Sequence, residues 1–362
     1  MRAVSVSVLL AALVLLATPL ALAGEDQAKA AAPVVKTGAT KSYSEGDDGS
    51  FLMGVAWPTP RFAVDEAAGT VTDNLTGLMW PKNLNIAGKN LSWADALAFC
   101  KQLDLGNHND WRLANVRELQ SLNEWAEQST ILPKDHPFTG VPVLAAWAST
   151  TFALDTNIAW YVRTDAYMGH AAKTEQFSVL PVRGGVAKDG TVITKGIAPV
   201  AKTGQTKSYA PGDDGDLQMG VPWPNPRFTV DGDCVTDNLT GLMWAKNGDI
   251  AGGGKVISCY EAIDLCKNLD LGGHKDWRLP NIKELQSLTD YSSGLPGEPF
   301  TDVVRAEGMV GYWSGTVYPK TTPHTAWLVG GQGYTTGNAM DGSRYKHRVW
   351  PVRGGEVANA GK

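Results

Sequence analysis

Asp110-Trp111-Arg112-Leu113, followed by Glu118-Leu119-Gln120-Ser121-Leu122, recurs as Asp276-Trp277-Arg278-Leu279 and Glu284-Leu285-Gln286-Ser287-Leu288. The second copy stands 166 positions after the first (276 less 110). A period this long marks tandem globular units, because solenoid repeats run to ~20–50 residues. The chain therefore supplies its own two-row alignment, and every other motif can be placed against that anchor.

Upstream, Val71-Thr72-Asp73-Asn74-Leu75-Thr76-Gly77-Leu78-Met79-Trp80 matches Val235 to Trp244 without a substitution. Its β-branched and apolar residues flank Asp-Asn and Thr-Gly, which reads as a hairpin with an Asx-and-glycine turn. Earlier still, each unit carries Gly-Asp-Asp-Gly, at Gly46 to Gly49 and Gly212 to Gly215. A Pro/Trp segment then ends in Pro60-Arg61-Phe62 or Pro226-Arg227-Phe228. Ser92 and Ser258 are expected to cap a helix whose inward face is Trp93, Ala96, Leu97, Cys100 and Leu103, or Cys259, Ala262, Ile263, Cys266 and Leu269. Gly106 and Gly272 sit where its C-terminal cap belongs. Asn115 and Asn281 cap a second helix, with Glu118 and Glu284 completing a capping box. Beyond it, Trp147-Ala148-Ser149-Thr150 answers Trp313-Ser314-Gly315-Thr316, and both units close on Pro-Val-Arg-Gly-Gly.

The N-terminus reads as an export signal over residues 1–23. Arg2 precedes a wholly apolar Val8–Ala17, and Ala21-Leu22-Ala23 supplies the small-x-small cleavage pattern before Gly24. Residues 24–36 then form a flexible leader, 37–185 the first unit, 186–202 a linker, 203–355 the second unit and 356–362 a tail. The expected localisation is exported: periplasmic, secreted or cell surface, with no membrane span in the mature chain. A formal net charge of −5, one unit more negative without Arg2, gives no global field for nucleic acid. Thirteen Trp and forty Gly suggest loop-rich units pinned by large aromatic anchors.

The ordered string of hairpin, Trp, capped helix with a Cys, Asp-Trp-Arg-Leu, Trp-Ser-x-Thr and Pro-Val-Arg-Gly-Gly resembles a known family. That family is the C-terminal domain of the Legionella collagen-like adhesin, and the resemblance covers nearly all of both units. The first unit departs from the pattern at Ala114 and Ala148, where Pro and Ser are usual, and no collagen-like repeat is present. The resemblance implies an α+β fold: two tandem domains, C-type-lectin-like and formylglycine-enzyme-like, each with two helices on short antiparallel strands and long loops. It also implies an extracytoplasmic, adhesive, glycan-binding role.

The residues themselves favour binding over catalysis. No zinc spacing, no Gly-x-Ser-x-Gly elbow and no phosphate loop occurs. The chain is read as a non-catalytic binding module for extracellular glycan or a surface protein. The alternatives are an envelope-assembly protein and, more remotely, a relative of the formylglycine-type enzymes. Asp110, Arg112 and Glu118, with Asp276, Arg278 and Glu284, read as a structural network that Arg183 and Arg353 could join. No cofactor is expected. The acidic turns Asp47-Asp48, Asp213-Asp214, Asp73-Asn74 and Asp237-Asn238 offer oxygen ligands for calcium, but ordinary turn chemistry is the favoured reading. Cys234 and Cys259 occur only in the second unit, which suggests a disulfide between strand and helix, with Cys234–Cys266 as the rival. Pairing of Cys259 with Cys266 is excluded on a helix, where seven residues separate the Cα atoms by ~10 Å. Cys100 remains a buried thiol. Aromatic and polar residues in the divergent loops are the candidate ligand contacts. They are Tyr161, Arg163, Tyr167 and His170 in the first unit, and Tyr334, Asn338, Asp341, Arg344 and Tyr345 in the second.

Overall fold

The computed structural model describes residues 30–125, 132–141, 145–306, 308–318, 321–322 and 324–355. The export signal, the start of the leader and the tail lie outside them. In chain order the first unit contains α1 (Asp48–Phe51), β1 (Phe62–Asp65), β2 (Thr70–Asp73), β3 (Leu78–Pro81), α2 (Trp93–Gln102), β4 (Arg112–Leu113), α3 (Val116–Leu122), β5 (Ala145–Thr151), β6 (Ile158–Arg163), β7 (Met168–Ala172) and β8 (Pro181–Gly184). The second contains α4 (Asp214–Leu217), β9 (Phe228–Asp231), β10 (Cys234–Asp237), β11 (Leu242–Ala245), α5 (Cys259–Lys267), α6 (Ile282–Leu288), β12 (Gly311–Tyr318), β13 (Thr325–Gly330), β14 (Thr335–Ala339) and β15 (Val352–Arg353). The architecture is α+β, with short helices and antiparallel strand pairing, stated twice.

The hairpin forms as its residues dictate. Asp73 Oδ1 accepts from Leu75 N at 3.0 Å, and Gly77, at φ +79°, donates its N–H to Asp73 O at 2.7 Å. That turn sets Val71 opposite Trp80, and the second unit repeats the register with Val235 opposite Trp244. Both tryptophans are fully buried. α2 begins at Ser92, whose side chain accepts from Asp95 N, and it buries Trp93, Ala96, Leu97 and Cys100 on one stripe. It ends at Gln102 and α5 ends at Lys267, short of the glycines expected to cap them. Gly106 and Gly272, at φ +63° and +60°, instead serve the tight turns that bridge Leu105 to His108 and Leu271 to His274. Those turns receive the indole N–H of Trp111 and Trp277.

The two units do not stand side by side as beads. β7 and β14 pair antiparallel at Met168 and Thr335, which joins both units into one six-stranded sheet of order β12-β13-β14-β7-β6-β5. The opening segments are exchanged as well. α1 of the first unit packs on β12 of the second, where Thr316 Oγ1 donates to Asp48 Oδ2 at 2.9 Å. α4 of the second unit packs on β5 of the first, where Thr150 Oγ1 donates to Asp214 Oδ2 at 2.7 Å. Gly49 and Gly215 permit these turns, since a Cβ there would lie 2.0 and 1.9 Å from the carbonyls of Lys41 and Lys207. Trp125, at the end of α3, belongs to the second unit's core beside Trp327, while Tyr291 belongs to the first unit's core beside Trp160.

The stretches read as leader and linker take part. Of the leader, residues 30–36 are described and docked. Ala32 is buried with its N–H on Leu239 O at 3.0 Å, and Val35 bridges Val55. In the linker, Ala198 N–H donates to Leu75 O at 2.8 Å, and Ala201 bridges Val221. Small apolar residues there bury against the hairpin turns, so these segments act as straps.

Candidate functional site

The repeated motif contributes to two separate ion pairs in each unit. Arg112 holds Glu118 bidentately, both bonds at 2.6 Å, and both groups are buried. Glu118 Oε2 also accepts from Asn115 N at 2.9 Å, so one carboxylate fixes the guanidinium and caps α3. Arg278, Glu284 and Asn281 repeat this at 2.6–2.9 Å. Asp110 and Asp276 do not touch these groups. Asp110 pairs with Arg183 at 2.6 Å and Asp276 with Arg353 at 2.7 Å, at half-exposed positions. Hydrogen bonds from those arginines hold both carboxyls below the ordinary range.

Most oxygens of the acidic turns meet protein donors, although Asp214 Oδ1 is buried without one. Asp47 accepts from the backbone of Tyr43, Ser44 and Ser50, and Asp213 from that of Tyr209, Ala210 and Asp216. Burial pushes Asp48 up to about 6 and Asp214 up to about 7, against hydrogen bonds from threonine hydroxyls. Asp73 and Asp237 clamp Arg61 and Arg227. Among the described residues no group of three or more His, Cys, Asp or Glu side chains gathers as a metal site.

The expected disulfide does not form: all four cysteines are free and buried. Cys234 lies on β10 against Gly272, where a Cβ would come 2.4 Å from its sulfur. Cys259 instead points into the core beneath β12, its Sγ 3.8 Å from Ser314 O. The strand cysteine thus faces a turn and the helix cysteine a different core, and neither Cys259 nor the rival Cys266 meets Cys234. Burial pushes the thiols of Cys100, Cys259 and Cys266 far above their ordinary range.

The nine candidate ligand residues are scattered. Tyr167 lies on the seam between the units, edge-on to Trp327 at 5.1 Å, with its hydroxyl accepting from Gly337 N at 3.3 Å. Tyr334 packs against the first unit's core and donates its hydroxyl to Gly308 O. Tyr161 packs on Phe177, and His170 stacks on Phe152 at 4.1 Å. Arg163 pairs with Asp165 and lies over Tyr167. Asn338 sits 3.0 Å from His347 Nε2; Gly311 N donates to His347 Nδ1, and burial pushes that imidazole down to about 4. Only Asp341, Arg344 and Tyr345 share one exposed loop, where Asp341 accepts from Ser343 N and Arg344 lies over Tyr345. No single surface collects the set.

A cleft does form around the Pro/Trp segment and Pro60-Arg61-Phe62, outside the candidate ligand residues. Trp57, Pro58, Pro60, Arg61, Phe62 and Glu124 line a depression of about 600 Å³ that Lys134 and Asp135 border. Arg61 is held between the rings of Trp57 and Phe62, at 4.6 and 4.9 Å, and tied to Asp73 and to Ser121 O. Its Nη1 is buried without a partner. The second unit repeats the sandwich with Trp223, Arg227 and Phe228. The signal was legible as the repeated Pro-Arg-Phe after a Trp, but it reads as punctuation until the indole and guanidinium are seen stacked. No curated protein and no solved structure matches the chain. The Lcl C-terminal domain model matches residues 69–183 and 233–353, together more than half of the sequence, and the chain belongs to that family, in two tandem copies.

Proposed function

We infer that this is a non-catalytic, extracytoplasmic binding module that recognises glycan or a related surface polymer on a lectin-like scaffold. The observation that carries the reading is the cleft at Trp57. It combines two half-buried aromatic rings and a rigid proline wall with the exposed Lys134 and Asp135 at its edge. Sugars stack on rings and hydrogen-bond at their rims, so these are the groups such a ligand uses. The absence of turnover is supported by chemistry: an oxidase of the formylglycine type needs a reachable thiolate, and burial disfavours ionisation of the helix thiols. Binding of the full chain to a panel of neutral, uronic and sulfated polysaccharides tests this. We expect one class to bind and Trp57→Ala to weaken it about tenfold, the equivalent of ~1.4 kcal/mol. Binding by none of them, or binding that ignores Trp57→Ala, overturns the reading.

A further inference from the structure

The groups that build the cleft at Trp57 are assembled a second time around Trp223. Trp57 donates its indole N–H to Lys36 O at 3.1 Å, and Trp223 donates its own to Lys202 O at 3.0 Å. The first ring packs on Val55, Leu75 and Ala198, and the second on Ala32, Ala201 and Leu239. Exposure then matches position for position. Trp57, Pro58 and Phe62 are half-buried and Thr59-Pro60 exposed; Trp223, Pro224 and Phe228 are half-buried and Asn225-Pro226 exposed. A half-buried ring pinned through its N–H offers solvent a fixed apolar surface with little freedom left to lose on binding.

The rim is remade rather than copied. Leu132-Pro133-Lys134-Asp135-His136-Pro137-Phe138 is answered by the shorter Leu295-Pro296-Gly297-Glu298-Pro299-Phe300. Phe138 stands edge-on to Phe62 at 5.3 Å and Phe300 edge-on to Phe228 at 5.0 Å, so both loops end beside the sandwich. The shorter loop has no counterpart of Lys134, but Arg305 stands against it: a Cβ added to Gly297 would lie 3.2 Å from Arg305 Nη1. Arg305 is held there by the carbonyls of Leu295 and Ser293, at 2.9 and 3.2 Å. Glu124 and Asp290 also correspond, each against the glycine that opens its unit, Gly38 or Gly204. Core packing needs only Phe138 and Phe300; Lys134, Asp135 and Glu298 are exposed. Each rim thus sets one Lys or Arg beside two acidic side chains, a mixture that suits hydroxyl groups, which both donate and accept.

We propose that the second unit carries its own glycan site at Trp223 and Phe228, rimmed by Glu298 and Arg305, for the same class of sugar as the first. This rests on the reading of the Trp57 cleft as a glycan site. The chain then holds two sites of one kind. Because the units share a sheet, the two sites keep a fixed separation and orientation, and they grip polymer as a rigid pair rather than as modules on a flexible tether.

The test is calorimetric titration of the full chain with cellohexaose, hexagalacturonate and a carrageenan hexasaccharide, as neutral, uronic and sulfated probes. The probe that binds is expected to saturate at two per chain in the wild type, a readout that depends on no variant. Trp57→Ala and Trp223→Ala should each remove one site and leave the affinity of the other unchanged, and the double variant should bind none. Saturation of the wild type at one per chain overturns the second site. If Trp57→Ala then abolishes binding and a folded Trp223→Ala leaves it unchanged, the cleft at Trp57 still stands. No binding of any probe, or binding that neither substitution alters, overturns both readings.

Discussion

Replacing Asp214 by Asn should change the pH dependence of stability, and the sign follows from where the carboxyl sits. Asp214 is buried against β5 of the other unit, with Thr150 Oγ1 donating to it at 2.7 Å, and burial pushes its pKa up to about 7. In the unfolded chain it titrates near its ordinary value of ~3.9. A carboxyl whose folded pKa is raised contributes stability that is complete below pH ~4 and is lost as the pH rises through about 7. At ~1.4 kcal/mol for each tenfold in the constant, the loss is on the order of 4 kcal/mol as an upper limit. Asn cannot ionise and removes this dependence while keeping the shape. Melting curves at pH 5 and pH 8 should therefore show wild type losing several degrees relative to Asp214→Asn on the alkaline side. Asp48→Asn should act in the same direction, since Asp48 is pushed up to about 6 by its burial at the reciprocal junction. Parallel pH profiles for wild type and both variants would refute the buried, exchanged position of these turns.

The ion pairs separate by burial. Arg278→Met should cost ~3–5 kcal/mol in chemical denaturation, because it strands Glu284 in the core without a partner. Arg183→Met removes the pair with the half-exposed Asp110 and should cost less than ~1 kcal/mol for the lost ion pair. Thiol titration should find all four cysteines unreactive in the native protein and all four reactive after unfolding without reductant. Two missing thiols in the unfolded chain would restore a disulfide, Cys234–Cys259 or its rival Cys234–Cys266.

Much of the local structure was legible because it depends on neighbours in sequence. Ser258 and Glu261, Asn115 and Glu118, and the Asp73–Gly77 turn all act within a few residues, so spacing alone reveals them. The helix stripe of Trp93, Ala96, Leu97 and Cys100 was equally plain. What sequence could not carry was partnership at long range. Asp110 and Arg112 are two residues apart, yet one turns to Arg183 and the other to Glu118. Tyr167 and Tyr334 look like binding aromatics in a loop, but both pack at the junction of the two units. Cys234 and Cys259 occur together in one copy, but the helix turns Cys259 towards Trp313 and Ser314 rather than towards the strand. Likewise the exchange of α1 and α4 leaves no mark in a repeat alignment, because each copy offers the other an equivalent surface.

The two family domains form one interlocked body, joined by a shared sheet and exchanged opening turns. Differential scanning calorimetry of the intact chain distinguishes one interlocked body from two independent domains. A single transition is expected, with the calorimetric enthalpy equal to the van't Hoff enthalpy and near ~200 kcal/mol for a body of this size. Asp214→Asn and Arg278→Met should each displace that whole transition. Two resolved transitions, each carrying about half the heat and each answering to a mutation in only one unit, would contradict it.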